Sequence, residues 1–188
     1  MCGIVGYVGT KNVPGRAYFA LDVVLEGLRR LEYRGYDSAG VAVLDEGKIS
    51  FRKKAGKVAA LDEVIAADPL PQAVVGIGHT RWATHGGPTD ANAHPHVVDG
   101  GKLAVVHNGI IENFAELKTE LLEKGYTFKS ETDTEVAATL LSDFMHGAGG
   151  GNLTEAMRLT CNRLEGAFTL LALHTDFPDR IVAARRNS

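Results

Sequence analysis

The sequence predicts an α+β fold, because β-type segments come in pairs or blocks with helical segments between them, without the strict alternation of a doubly wound sheet. Two local patterns carry that prediction. Residues 41–44 and 49–53 are β-forming runs separated by Asp45-Glu46-Gly47-Lys48, whose Asp and Gly suit a tight hairpin turn. Leu21, Val24, Leu25, Leu28 and Leu31 instead recur with the 3.6-residue period of a helix that buries one stripe. A length of 188 residues with 45% hydrophobic content suits one domain, 1–188, with a substantial core.

In chain order, residues 4–8 are short, apolar and β-branched, predicting a strand directly after Cys2. Residues 10–15 are a polar Gly/Pro/Asn turn, and the helix follows over 17–31. After the hairpin, Val58, Leu61 and Ile65 predict a short helix that stops near Asp68-Pro69, since proline drives its predecessor out of the helical region. Residues 74–79 read as a strand, followed by a polar loop reaching His96. A strand over 103–107 is expected to stop at Asn108-Gly109, a pair suited to a sharp turn. Asn113 stands three residues before Glu116, the spacing of a helix cap, and Phe114, Leu117 and Leu121 carry that helix to Gly125. Thr132 and Glu135 repeat the capping-box spacing ahead of Val136, Leu140, Leu141 and Phe144, which puts Asp133 at a helix N-terminus. Asn152 and Glu155 open a further helix ending near Gly166, and residues 167–173 and 181–184 are strand-like.

Charge and cysteine usage narrow the function. A net charge of -3 gives no basic field for a phosphate backbone, so nucleic acid is not expected as a principal partner. Cys2 and Cys161 are the only cysteines and lack CxxC spacing, which fits a reducing, cytoplasmic setting and no disulfide scaffold. No apolar run approaches the ~18 residues of a membrane span. The strand-like run ending just before Ser188 looks cut, so a fragment is expected.

Several residues could carry chemistry. Removal of Met1 would leave Cys2 with a thiol and a free α-amine on one residue, a nucleophile with a base attached; the position also suits a small buried hydrophobe. Arg81 offers a planar fork for a carboxylate or a surface ion pair, and Trp82, the sole tryptophan, could wall a pocket or fill core. Asn108 and Gly109 can supply an oxyanion with two adjacent donors, or only make a turn. Asp133 can hold an ammonium group or cap a helix. Five of the seven histidines lie between His79 and His107, but no Asp, Glu or Cys array completes a ligand set, so no metal is expected. No phosphate-cradling glycine loop is present, and no cofactor is expected.

Five segments in order, residues 1–6, 30–40, 79–86, 107–113 and 130–135, resemble the glutaminase domain of the glutamine:fructose-6-phosphate amidotransferases, class II glutamine amidotransferases of the N-terminal nucleophile hydrolase superfamily. That resemblance implies a four-layer αββα sandwich, C-terminally truncated here and lacking its synthase/isomerase domain. It implies that Cys2 attacks the side-chain amide of L-glutamine with its own α-amine as base, that Asn108 and the Gly109 N–H form the oxyanion hole, and that Arg81 and Asp133 grip the substrate α-carboxylate and α-ammonium. Trp82, Thr84, His85 and Gly109 would line the pocket, with Arg34 and Tyr36 supporting the active-site loops. Ammonia would leave behind a γ-glutamyl thioester, and a downstream domain would use that ammonia to convert fructose 6-phosphate to glucosamine 6-phosphate in a homo-oligomeric protein. Two alternatives stand beside this: the glutaminase domain of another class II amidotransferase, against which Trp82 speaks, and a catalytically silent glutamine-binding module.

Overall fold

Two four-stranded antiparallel sheets stack face to face, and helices cover the outer side of each. The computed structural model describes residues 2–10 and 19–187. The first sheet has the order β1 (Gly3–Val8), β4 (Val75–Arg81), β2 (Ser38–Asp45), β3 (Lys48–Ala55). The second runs β5 (His96–Val98), β6 (Leu103–Ile111), β7 (Gly166–His174), β8 (Val182–Arg186). α1 (Ala20–Arg30) and α2 (Val58–Ala67) pack on the first sheet; α3 (Phe114–Glu123), α4 (Asp133–His146) and α5 (Leu153–Arg163) pack on the second. This is the expected α+β, αββα arrangement. Most of the turn expected over 10–15, and the start of the helix expected from residue 17, lie outside the described residues.

Three apolar layers follow from the two-residue period of the strands. Val41 and Val43 face Val24, Leu28 and Leu61 under the first helix layer, while Ala42 and Leu44 turn into the space between the sheets. Leu103 and Val105 likewise face Leu117, Val136 and Leu140, while Ala104 and Val106 meet Ile77 and Leu173 between the sheets. Strands buried on both faces read as continuous apolar runs, which is why no polar/apolar alternation marks them in the sequence. α1 comes unusually near its sheet: a Cβ on Gly78 would lie 2.3 Å from Val24 Cγ1. Among the described residues, no helix is long and apolar enough to cross a membrane.

The hairpin turns at Glu46 and Gly47, both at positive φ, with Asp45 paired to Lys48. Three expectations need correction. β6 does not stop at Asn108-Gly109 but continues to Ile111, because β7 pairs with it over its whole length, Gly109 opposite Phe168. Residues 80 and 81 belong to β4, held by Gly3 opposite Thr80 and Ser38 opposite Arg81, and His96 opens the short β5 instead of ending a loop. Asn113 does not cap α3 through its side chain; its amide bonds to the Arg163 carbonyl and the Glu165 N–H across the layer. Thr132 does cap α4, accepting from the Glu135 N–H, and the Glu135 carboxylate accepts from the Lys129 and Ser130 N–H groups.

Candidate active site

The strand register delivers the nucleophile candidate. Gly3 opposite Thr80 and Ile4 opposite His79 place Cys2 beside the end of β4, where the Trp82 N–H donates to Cys2 Sγ at 3.2 Å. A small cleft is lined by Cys2, Arg81, Trp82 and Thr84 together with His94, His107, Gly109, Asp133 and Thr134. A larger groove of about 540 Å³ runs past Phe51, Asp99, Tyr126 and His146, but it holds no cysteine. Burial pushes the Cys2 thiol up, against the pull of the Trp82 N–H towards the thiolate. A thiol held protonated near neutral pH needs a base beside it.

Most of the expected residues come together here, though several do more than was read from them. Arg81 is buried and lines the cleft, and its guanidinium donates to the carbonyls of His85, Gly86 and Gly87. Three of its five donors therefore tie down the loop that carries Thr84 and His85. Trp82 is 54% exposed, so it walls the cleft and fills no core. His85 packs edge-on against Phe114, with its Nδ1 3.9 Å from Asp133.

Asp133 is a buried carboxylate at the first residue of α4, where the helix N-terminus favours negative charge. Its Oδ2 accepts from the Ile111 N–H at 3.0 Å, and the nearest basic nitrogens, on His107 and His85, stay 3.8 and 3.9 Å away. Burial lowers the His107 pKa, opposed by Asp133 itself. The cleft thus presents an acceptor with no close cation among the described residues.

Asn108 and Gly109 lie within β6, not in a turn. Gly109 has φ +121°, and a Cβ there would sit 2.0 Å from the Ala167 carbonyl oxygen, so this backbone admits only glycine. Asn108 shares the inward face with Ala104 and Val106, and its Oδ1 lies 2.6 Å from His79 Nε2 on the opposite sheet. Tyr36 donates to Glu32 and accepts from the Val58 N–H at 2.7 Å, joining the turn after α1 to the start of α2; burial and then the Glu32 carboxylate push its pKa up to about 12. Arg34 sits in the adjoining 3₁₀ turn, Glu32–Arg34.

Two sets of residues escaped the sequence reading. Asp37 holds the Cys2-facing loop directly, its carboxylate accepting from the Ala83 N–H and its own N–H donating to the Arg81 carbonyl. Four of the five crowded histidines, His79, His94, His96 and His107, form a buried polar layer. His79 stacks on His94 at 4.2 Å, His96 bonds to Thr132 at 2.9 Å, and His107 bonds to Thr134 at 2.9 Å. Burial lowers the pKa of each, for His79 to about 3. Their density in the sequence was the available signal, and their partners were not.

Compared with known proteins, residues 79–187 match the family described as "Glutamine amidotransferase domain". Over its full length the chain is 75% identical to the glutamine–fructose-6-phosphate aminotransferase [isomerizing] of Corynebacterium diphtheriae, covering 30% of that protein. It is 62% identical to the protein of that name from Streptomyces coelicolor, covering 29%, and 52% identical to the one from Pyrococcus horikoshii, covering 30%. Among solved structures, glutamine phosphoribosylpyrophosphate amidotransferase from B. subtilis aligns with a TM-score of 0.70 at 27% identity, over 93% of this chain and 35% of that one. The chain therefore spans about 30% of the length of the relatives it matches. With Cys2 held against the Trp82 N–H, and with the family match running from His79 through Asp133 to β8, the chain belongs to the glutamine amidotransferase domain family.

Proposed function

We propose that the chain hydrolyses L-glutamine to glutamate and ammonia through a thioester on Cys2. The observation that carries this reading is the Cys2 sulfur, fixed by a backbone N–H in a cleft that Gly109 and Asp133 also line. In the Met-trimmed protein the α-amine of Cys2, near pH ~7.8 when unperturbed, takes the thiol proton that burial would otherwise hold on sulfur. The sulfur bonds to the carboxamide carbon of glutamine, and the carbonyl π electrons move onto oxygen. Asn108 Nδ2–H and the Gly109 N–H receive that oxyanion. Collapse expels the amide nitrogen, which takes the proton from the α-ammonium and leaves as ammonia, with the γ-glutamyl thioester remaining. Water, deprotonated by the same amine, then cleaves the C–S bond and returns the thiol.

The Arg81 guanidinium holds the substrate α-carboxylate, Asp133 holds the α-ammonium, and Trp82 and Thr84 close the sides, with His85 on the loop that Arg81 ties down. Two opposite charges on the amino-acid head fix the amide near sulfur and reject molecules lacking either, because a buried charge would be left unpaired. Arg34 and Tyr36 brace the turn beneath the loops. We further propose that the ammonia is delivered, within a longer protein, to a sugar-phosphate domain that makes glucosamine 6-phosphate from fructose 6-phosphate. The full-length identity to proteins named for fructose 6-phosphate supports that acceptor over the phosphoribosyl one, whose bearer is 27% identical. The test is glutamate release by the full-length, Met-trimmed protein: Cys2→Ala should abolish it, and persistence of the activity would remove Cys2 from the reaction.

A further inference from the structure

His79 stands on the first sheet and bonds to Asn108 on the second. Its ring is fully buried, its Nε2 lies 2.6 Å from Asn108 Oδ1, and its Nδ1 has no hydrogen-bond partner among the described residues. The His94 ring, 4.2 Å away, leaves it little room to turn. An amide oxygen only accepts, so the proton between the two side chains belongs to His79 Nε2, and a neutral ring has no other proton to give. Burial keeps the ring neutral, its pKa lowered to about 3, so it carries a single N–H across the neutral range.

The bond has a directional consequence for Asn108. With Oδ1 occupied, the Nδ2 protons face away from His79; an inverted amide would require the Nδ1–H tautomer, whose buried N–H would have no well-formed hydrogen bond among the described residues. Asn108 precedes Gly109, which lines the cleft. Trp82, three residues after His79, holds the Cys2 sulfur by its backbone N–H at 3.2 Å. One stretch of chain thereby sets both the attacking atom and the orientation of the donor on the facing sheet.

We propose that His79 is a positioning residue: by donating Nε2–H to Asn108 Oδ1 it locks the Asn108 amide with Nδ2 presented to the oxyanion formed on Cys2. The inference rests on the glutaminase reading above.

The test compares His79→Phe, His79→Gln, Asn108→Ala and the double variant His79→Phe/Asn108→Ala in the full-length, Met-trimmed protein. Two rates are measured: glutamate release, and alkylation of Cys2 by iodoacetamide, a displacement that generates no carbonyl oxyanion. His79→Phe should lower kcat about 10- to 100-fold, part of what losing an oxyanion donor costs, with KM for glutamine and the alkylation rate held near wild type. His79→Gln, which still carries an N–H donor, should recover most of kcat, and the double variant should be no slower than Asn108→Ala alone. Wild-type kcat in His79→Phe beside an impaired Asn108→Ala overturns the inference, as does a double variant whose losses simply multiply. Should His79→Phe lose its alkylation rate as well, through misfolding, the decision passes to His79→Gln: a folded variant as slow as Asn108→Ala overturns it equally. A wild-type protein that releases no glutamate, or a Cys2→Ala protein that still does, would instead sink the glutaminase reading itself.

Discussion

The space between the two sheets has a dry end and a polar end, and the same strands build both. On β4 the inward positions run Ile77, His79, Arg81; on β6 they run Ala104, Val106, Asn108. At the dry end Ala42, Leu44, Val75 and Leu173 complete an apolar layer whose worth comes from exclusion of water. Two to four residues further along the same strands, the inward groups become a neutral imidazole, a guanidinium and an amide. The dry end can tolerate no unpaired polar group, and its rigidity is what lets the polar end hold donors in fixed directions. Stability and chemistry thus lie a few ångströms apart on common strands, and substitutions should separate them.

The largest separation is expected at the polar end. Asn108→Ala removes one oxyanion donor and should lower kcat for glutamine hydrolysis by about 10²–10³-fold with little change in KM. Steady-state glutamate release measures it, and a KM effect alone would move Asn108 from transition-state stabilisation to simple binding. At the dry end, Ile77→Ala leaves a void in a fully buried layer and should cost about 2–5 kcal/mol of stability, read by urea unfolding. The kcat of its folded fraction should stay at the wild-type value; a loss comparable to that of Asn108→Ala would mean that the two ends are one mechanical unit.

A pH dependence of stability also belongs to the polar end. His79, His94 and His96 bind a proton near pH 6.5 in the unfolded chain, whereas burial holds each below that in the fold, His79 down to about 3. The unfolded state therefore takes up protons first as pH falls. Stability should be full above pH 6.5 and should decline below it by about 1.4 kcal/mol per pH unit for each such histidine. Urea unfolding at successive pH values below 7 measures the slope; a flat profile down to pH 5 would mean that these rings are accessible to protons in the folded protein.

What the sequence made legible, and what it hid, follows the range of the interactions involved. The hairpin at Glu46-Gly47, the Thr132 cap and the helix stripe through Val24 and Leu28 are set by neighbours a few residues away, so their patterns survive in one dimension. Asn108-Gly109 misled for the opposite reason. A pair with the local chemistry of a turn is drawn into β6 by β7, some sixty positions on, and the positive φ of Gly109 serves a close approach to Ala167 within a sheet. Asn113 likewise had the spacing of a cap while its amide was claimed by Arg163 and Glu165. In the site, Cys2, Arg81 and Asp133 could be named from chemistry and resemblance, because each carries a group that substrate would need. His79 and Asp37 touch residues of the cleft and not its opening, and only the pairing of sheets and loops shows what they hold.

The most direct measurement is a rapid acid quench of the full-length, Met-trimmed protein mixed with glutamine, followed by mass analysis of its peptides. A γ-glutamyl adduct should appear on the peptide that begins with Cys2 and disappear as glutamate accumulates. No adduct at any time during turnover, or an adduct at Cys161 with Cys2 left free, would contradict an amide broken by the N-terminal thiol.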